Sequence, residues 1–235
     1  MSLRQILFSC FVILLALPVL RAQSQAQSSS STSASAPSTS ASSSKPVTKR
    51  QSNSPLDSGS TANGIYRNPA FGFTCKIPDG WVLRTSEMYQ QEAEDEKEDS
   101  GKKSTTAGQV LLAAFSRPPD ARAEDVNGSI LIAAESAASY PGLTDAAQYF
   151  GPLTEVAKAR GFEIDDDPYE FVLGAKTLAR GDFQKNVGTR VMRQSTLVIL
   201  SRGYLVSFTF IEGTEDEVEE LVQGLSFATA RKASP

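Results

Sequence analysis

The chain has 235 residues, 40% hydrophobic and 21% charged, which is long enough for one folded domain with additional sequence. It contains no histidine and has a formal net charge of −4. The absence of histidine excludes Ser-His-Asp and Cys-His catalysis and zinc sites with imidazole ligands. Because Cys10 and Cys75 are its two cysteines, cysteine-cluster metal sites are excluded as well. Any chemistry would have to use carboxylates, lysine, serine or tyrosine, and the sequence predicts no cofactor.

Residues 1–22 have the pattern of an export signal. Arg4 supplies the positive charge, and an apolar stretch of signal-peptide length follows at residues 6–20. We predict cleavage after Ala22 or after Ala26, with a lipoprotein signal and an uncleaved signal anchor as alternatives. The protein is therefore expected in the periplasm or outside the cell, contacting a membrane only through a retained signal.

Residues 23–63 form a segment in which 20 of 41 residues are serine or threonine and none is aromatic. Such a composition buries too little apolar surface to offset the entropy of ordering, so a disordered linker is predicted. An O-glycosylated stalk, or a processing site at Lys49 and Arg50, is the alternative interpretation. Residues 64–235 carry a net charge of −8, which argues against nonspecific binding to nucleic acid or anionic lipid.

A folded domain is predicted over 64–230, with a short tail at 231–235. Apolar residues alternate along its first long strand: Phe71, Phe73, Cys75 and Ile77. Alternation places their side chains on one face, so Cys75 is expected to be an inert, buried residue. Trp81, the single tryptophan, is expected to cover one end of the core, with ligand stacking as the alternative.

Residues 92–108 begin with a run of acidic side chains, and this pattern predicts a solvated loop. Binding of a cation or of a basic partner is the alternative. Two further strands are predicted at Val110 to Ser116 and Ser129 to Ala134. The period then becomes helical from Leu143 to Gly161, with an interruption at Gly151-Pro152 that predicts either a kink or a second helix beginning there.

The triple aspartate at 165–167 is expected to form a solvated turn rather than a metal site, since neighbours in an extended chain point to opposite faces. The last third predicts strands at Val187 to Leu200 and Tyr204 to Ile211, joined by a hairpin. Thr214 then begins a capped helix. This order of elements predicts an α+β fold, an antiparallel β-sheet with helices packed against it.

Several of these residues carry a resemblance to a known family. They are Ile65-Tyr66, Phe71-Gly72-Phe73, the run from Ile77 to Trp81, the closing hairpin with its threonine-capped helix, and Leu225-Ser226-Phe227. The pattern resembles the PsbP-like α/β/α sandwich family. The resemblance implies a non-catalytic domain that assists assembly, binds a partner or stabilises a larger complex, and it supplies no catalytic residues.

The first functional hypothesis is an exported, non-catalytic binding or assembly module whose partner is another exported or envelope protein. Arginines surround the final hairpin and are candidates for docking an acidic partner: Arg190, Arg193 and Arg202, together with Arg180 and Lys185. If they share an outward face, they would form a positive patch on an acidic domain. Ordinary surface charge that protects strand edges is the alternative interpretation.

Two other hypotheses remain open. A carrier of a small ligand or cation would use a pocket near Trp81 and Tyr204. A carboxylate-dependent hydrolase, such as a glycosidase, would need two carboxylates about 5 to 10 Å apart across a cleft. The candidate carboxylates are Glu135, Glu163, Glu170, Asp182 and Glu212.

Overall fold

The computed structural model describes residues 56–88, 108–118, 121 and 125–228. The predicted export signal, the Ser/Thr-rich segment up to residue 55, nearly all of the acidic insertion and the C-terminal tail lie outside these ranges. Within the described ranges, no helix is long and apolar enough to cross a membrane.

The described ranges form strands, helices and short 3-10 turns. The strands, in chain order, are β1 (Ser60–Ala62), β2 (Ile65–Asn68), β3 (Phe73–Lys76), β4 (Val82–Leu83), β5 (Gln109–Phe115), β6 (Ser129–Ser136), β7 (Glu163–Ile164), β8 (Tyr169–Leu173), β9 (Lys176–Val187), β10 (Arg190–Ser201), β11 (Tyr204–Glu212) and β12 (Leu225–Phe227). The helices that lie wholly within the described ranges are α1 (Phe150–Ala159) and α2 (Glu215–Gln223), residues 85–88 are also helical, and 3-10 turns span Ala137–Ser139 and Ala146–Tyr149.

The strands form two antiparallel sheets. The small sheet has the order β1-β2-β3-β12. The large sheet has the order β4-β5-β6-β11-β10-β9-β7, and β8 pairs with the same edge of β9 as β7 does. The predicted α+β class, with helices packed against antiparallel strands, is confirmed.

The main core lies between one face of the large sheet and a layer made of the small sheet and α2. The ring of Phe73 in β3 meets the ring of Phe208 in β11 edge to face, with 4.8 Å between centroids. Burial of the alternating residues is confirmed, because Phe71, Phe73, Cys75 and Ile77 are all buried. Cys75 is completely enclosed, and burial raises the pKa of its thiol to about 12.

The second core covers the opposite face of the large sheet, where α1 packs through Phe150, Leu153 and Ala157. The ring of Phe150 lies directly over Gly181 of β9, where a Cβ atom would stand 2.6 Å from Cε1 of the ring. Glycine therefore allows the close approach of the helix at position 181, because any side chain there would force the ring of Phe150 to shift.

The interruption predicted at Gly151-Pro152 marks the start of a helix. The 3-10 turn at Ala146–Tyr149 is capped by Asp145, and α1 follows it directly with Pro152 in its first turn. Proline fits there because the first turn of a helix does not use its backbone N–H groups. Gly161 follows the end of α1 with a positive φ of 80°, as the sequence predicts for a C-terminal cap.

The last third of the chain largely follows its prediction. Strands β10 and β11 are joined by a two-residue turn at Arg202 and Gly203, both with positive φ. Helix α2 has the predicted capping box: the side chain of Thr214 accepts from the N–H of Glu217, while the Glu217 carboxylate accepts from the N–H of Thr214. Its buried stripe faces the main core.

Two sequence-based boundaries are corrected. Residues 60–62, assigned to the disordered linker, form β1, because Asn63 and Gly64 both have positive φ and turn the chain back onto β2. The strand predicted from Val187 to Leu200 begins instead at Arg190, since Gly188 has a φ of 61° and reverses the chain, so that Val187 is the last residue of β9. The pairing of β8 with β9 was not predicted.

Candidate functional site

The three arginines proposed for docking do not form one positive face. Arg190 and Arg202 flank opposite ends of β10, which has 12 residues, so more than about 30 Å of extended chain separates them. Arg193 lies three residues after Arg190 and therefore points to the other face of the strand. It lies 4.0 Å from the carboxylate of Asp165. The prediction of a shared docking patch is corrected by this separation.

Arg180, from the same predicted group, is buried between β9 and α2. Its Nε donates to Asp182 at 3.0 Å, and its guanidinium also forms an ion pair with Glu219 of α2. Burial lowers the pKa of Arg180, but the hydrogen bond with Glu219 and the charge of Asp182 outweigh that effect and raise it. This arginine fastens α2 to the large sheet and is not available to a partner. Lys185 donates to the carbonyl of Arg160 at 2.7 Å.

Trp81 and Tyr204 do not line a common pocket. Trp81 precedes Val82, and β4 lies beside β5 at the Ser129 end of β6. Tyr204 pairs with Ser136, at the other end of β6. The strand register separates the two aromatic residues by about 23 Å along the sheet. Each of them packs separately against the main core, so the predicted pocket is corrected.

Two of the candidate catalytic carboxylates are engaged in structural contacts. Glu135 of β6 is buried, and its two oxygens accept hydrogen bonds from the hydroxyls of Tyr140 and Tyr149. The bond from Tyr149 measures 2.7 Å. Asp182 accepts from Arg180 and, at 3.0 Å, from the hydroxyl of Tyr169. These two carboxylates therefore hold elements of the fold together.

Glu163 and Glu170, two more of the candidates, lie on the exposed strands β7 and β8. The fifth, Glu212, ends β11 near the first turn of α2. Burial and the charge of Glu217 raise the pKa of Glu212 to about 7, although the Gly213 N–H and Arg117 lower it. Among the described residues, no group of three or more carboxylate or cysteine side chains is arranged to hold a metal ion.

A cleft of about 380 Å³ lies beside the small sheet, between β1 and the segment that follows β4. Hydroxyl-bearing side chains dominate its lining: Ser58, Ser60, Thr61, Thr85 and Ser86. Leu83, which is 45% exposed, stands among them. Neither Trp81 nor Tyr204 contributes to this cleft, which differs from the pocket that the sequence suggested.

Strand β8 is an open edge that sequence reasoning missed. It pairs with β9 and with no other described strand. Two large apolar side chains are exposed on it, Tyr169 at 42% and Val172 at 63%. The apolar run from Tyr169 to Leu173, bounded by Pro168 and Gly174, is the signal that could have identified this strand. We call the unpaired side of residues 169–173 the β8 edge.

Carboxylates surround the β8 edge. Asp165, Asp166 and Asp167 form the exposed turn before it, which agrees with the predicted solvated turn. Glu170 lies on the strand itself and is also exposed. This side of the molecule therefore combines a strand edge that no described strand covers, exposed apolar side chains and negative charge.

No protein-family model matches the chain. No curated protein matches it in sequence. Solved structures do match. One is the cyanobacterial PsbP of Synechocystis sp. PCC 6803, with 18% identity, a TM-score of 0.41, and coverage of 70% of this chain and 91% of that one.

Two further matches come from unrelated organisms. LpqN of Mycobacterium tuberculosis, described as involved in cell envelope biogenesis, has 16% identity and a TM-score of 0.36, covering 67% of this chain and 83% of that one. The Ran-binding protein Mog1p of Saccharomyces cerevisiae has 12% identity and a TM-score of 0.37, covering 72% and 96%. A PsbP structure is thus among those that the chain resembles, and at these identities and TM-scores neither a family nor a role follows from the likeness.

Proposed function

We propose that this protein is an exported, non-catalytic module that binds another exported or envelope protein. The observation that carries the proposal is the β8 edge, where Tyr169 and Val172 are exposed on a strand whose outer side pairs with no other described strand. Folded proteins usually protect such edges, because an unpaired strand is ready to pair with another chain. An exposed edge with apolar side chains is therefore a natural site for association.

The titratable groups support a binding role over a catalytic one. Glu135 and Asp182, both candidates for carboxylate chemistry, are held by tyrosine hydroxyls and by Arg180. Glu135 is also only 4% exposed, so a substrate in solution does not reach it. The chain contains no histidine to act as an alternative base.

Export is supported by the charged and apolar pattern of residues 1–22, and the Ser/Thr-rich segment would act as a tether. The test is to express the full chain in its own cells with a C-terminal epitope tag and to sequence the N-terminus of the recovered protein. A new N-terminus at Gln23 or Gln27 in the exported fraction is expected. A cytoplasmic protein that still begins at Met1 would contradict export.

Binding is tested on the same tagged chain with a lysine-directed cross-linker added to intact cells. The expected result is one exported protein recovered in near-stoichiometric amount after stringent washing. If the chain is recovered alone at every cross-linker concentration, the binding function is wrong. A cytoplasmic tagged protein of similar charge serves as the background control.

A small-ligand carrier is a second candidate, favoured by the hydroxyl-lined cleft beside β1. Its volume of about 380 Å³ is within the range of small-molecule sites. Native mass spectrometry of the full chain purified from its own cells tests this role. A uniform added mass that disappears on unfolding would support a carrier, and a bare chain would contradict it.

A further inference from the structure

We propose that the β8 edge accepts an extended segment of the partner as an additional strand, and that this segment alternates apolar with basic residues. The inference rests on the proposed binding function and specifies its site and the chemistry of its ligand. Strand addition of this kind gains affinity from main-chain hydrogen bonds and specificity from alternating side chains.

The backbone groups that would pair with such a segment follow from the turn between β8 and β9. Gly174 and Ala175 form a two-residue turn in which Gly174 has a φ of 62°, so Leu173 and Lys176 close the hairpin as a hydrogen-bonded pair. Hydrogen-bonded pairs alternate along an antiparallel ladder. The N–H and C=O groups of Glu170 and Val172 therefore point away from β9.

The side chains on one face of β8 are already held in place. The Arg180 guanidinium lies 5.1 Å from the ring centre of Phe171 and 5.9 Å from that of Tyr169. The hydroxyl of Tyr169 donates to Asp182 at 3.0 Å. Since Arg180 is itself fixed by Glu219 of α2, this face of the β8 edge is ordered before a partner arrives, which lowers the entropic cost of binding.

The charge around the edge selects the chemistry of the segment. Glu170 is exposed on the strand, and the exposed aspartates at 165–167 precede it. The pKa of Asp165 is raised, chiefly by burial; Arg193 lowers it, and the neighbouring carboxylates of Asp182 and Asp166 add smaller increases. A basic segment is attracted to this edge, whereas an acidic one is repelled.

The negative charge around the β8 edge also argues against other occupants, namely a second copy of this chain, nucleic acid and anionic lipid. A second copy of this chain would bring the same aspartate turn and the same Glu170 to the interface. Nucleic acid and anionic lipid carry the wrong sign for it. A basic and apolar strand from a different protein is therefore the occupant that fits.

The test measures binding of a terminally blocked heptapeptide that alternates lysine and valine to the full chain, using fluorescence anisotropy at low salt. Its control is the same peptide with glutamate in place of lysine. Val172→Pro removes an outward N–H and leaves the β8 to β9 hydrogen bonds intact, as proline at a strand edge allows. Val172→Thr is the matched variant that retains both the N–H and the branched shape.

The lysine peptide is expected to bind and the glutamate peptide to bind at least tenfold more weakly. Val172→Pro should weaken binding of the lysine peptide about tenfold, because one main-chain hydrogen bond is lost. The affinity of Val172→Thr for the same peptide should stay within about twofold of wild type. Glu170→Lys should also weaken binding of the lysine peptide, and this variant tests the site without altering the backbone. Near-UV circular dichroism and thermal unfolding establish that each variant is folded.

Three results of the peptide measurements would overturn the inference. They are equal affinity for the lysine and glutamate peptides, unchanged affinity in both Val172→Pro and Glu170→Lys, and no binding of the lysine peptide. Sedimentation of the free chain as a dimer that Val172→Pro converts to monomer would also overturn it in favour of self-association. The cross-linking experiment in cells does not depend on these peptide and sedimentation measurements. A wrong assignment of the β8 edge can therefore be distinguished from a wrong binding function.

Discussion

Replacing Glu212 with glutamine is expected to change how the stability of the protein depends on pH. Glu212 is half-buried at the end of β11, and burial together with the charge of Glu217 raises its pKa to about 7 from an unfolded value near 4.5. Because the folded state holds this proton more tightly than the unfolded state, the wild-type stabilisation is complete below about pH 4.5. It is lost as the pH rises through 7.

The magnitude follows from the shift. The rise of the pKa from 4.5 to about 7, at 1.36 kcal/mol per pKa unit, sets an upper limit of about 3.4 kcal/mol, and screening of this partly exposed group by solvent reduces it to about 1 to 2 kcal/mol. The glutamine variant carries no charge, so its free energy of unfolding should lack this loss between pH 5 and 8. Relative to wild type, Glu212→Gln should therefore become progressively more stable as the pH rises.

Urea unfolding at several pH values measures the effect, and the difference between the two proteins isolates Glu212 from the other carboxylates. Glu220→Gln, on the exposed side of α2, is the matched control and should run parallel to wild type. If Glu212→Gln also runs parallel to wild type between pH 5 and 8, the assigned burial and the repulsion by Glu217 are wrong.

Three further outcomes test the packing of the fold. Gly181→Ala should lower the free energy of unfolding by about 1 to 3 kcal/mol in urea titrations, because its methyl group would collide with the ring of Phe150; an unchanged midpoint would contradict that contact. Native Cys75 should resist alkylation at pH 8 until the chain is unfolded, since burial raises its pKa to about 12; rapid labelling followed by mass spectrometry checks this. Tyr149→Phe should cost about 1 to 3 kcal/mol because it removes a hydroxyl that donates to buried Glu135, and a neutral result would show that the carboxylate does not depend on it.

The elements predicted well from the sequence were those with a local signal. Alternation predicted the burial of Cys75 and its apolar neighbours in the first long strand, and the capping box at Thr214 predicted the start of α2. Pro152 marked the first turn of α1, and Gly161 marked its end. In each case neighbouring residues carry enough information, because alternation follows the period of the strand and the start and stop signals of a helix lie within one turn of its ends.

The elements missed were those whose pattern depends on distant residues. Strand β9 has the charged residues Arg180 and Asp182 at inward positions, and these interrupt its apolar alternation. Arg180 can be buried there because it pairs with Glu219 of α2, which lies far away in sequence. The hairpin at Asn63 was missed for a simpler reason, since its Asn-Gly signal lay inside a segment classified by overall composition.

The predicted sites failed for a related reason. Arg190, Arg193 and Arg202 are close in the chain, but an extended strand carries them apart and alternates their faces. Trp81 and Tyr204 are separated by the strand register, which no local pattern reveals. The β8 edge became visible only when the pairing partners of every described strand were known.

The most direct test of the proposed binding function is site-specific photo-cross-linking in intact cells. A benzophenone amino acid is introduced at Val172 on the β8 edge or, as the matched control, at Leu200, an exposed apolar residue of β10. The full tagged chain is illuminated and its cross-linked products are identified. Cross-linking of one exported protein from position 172, with little from position 200, is the predicted result. Equal cross-linking from both positions, or none from position 172, would contradict it.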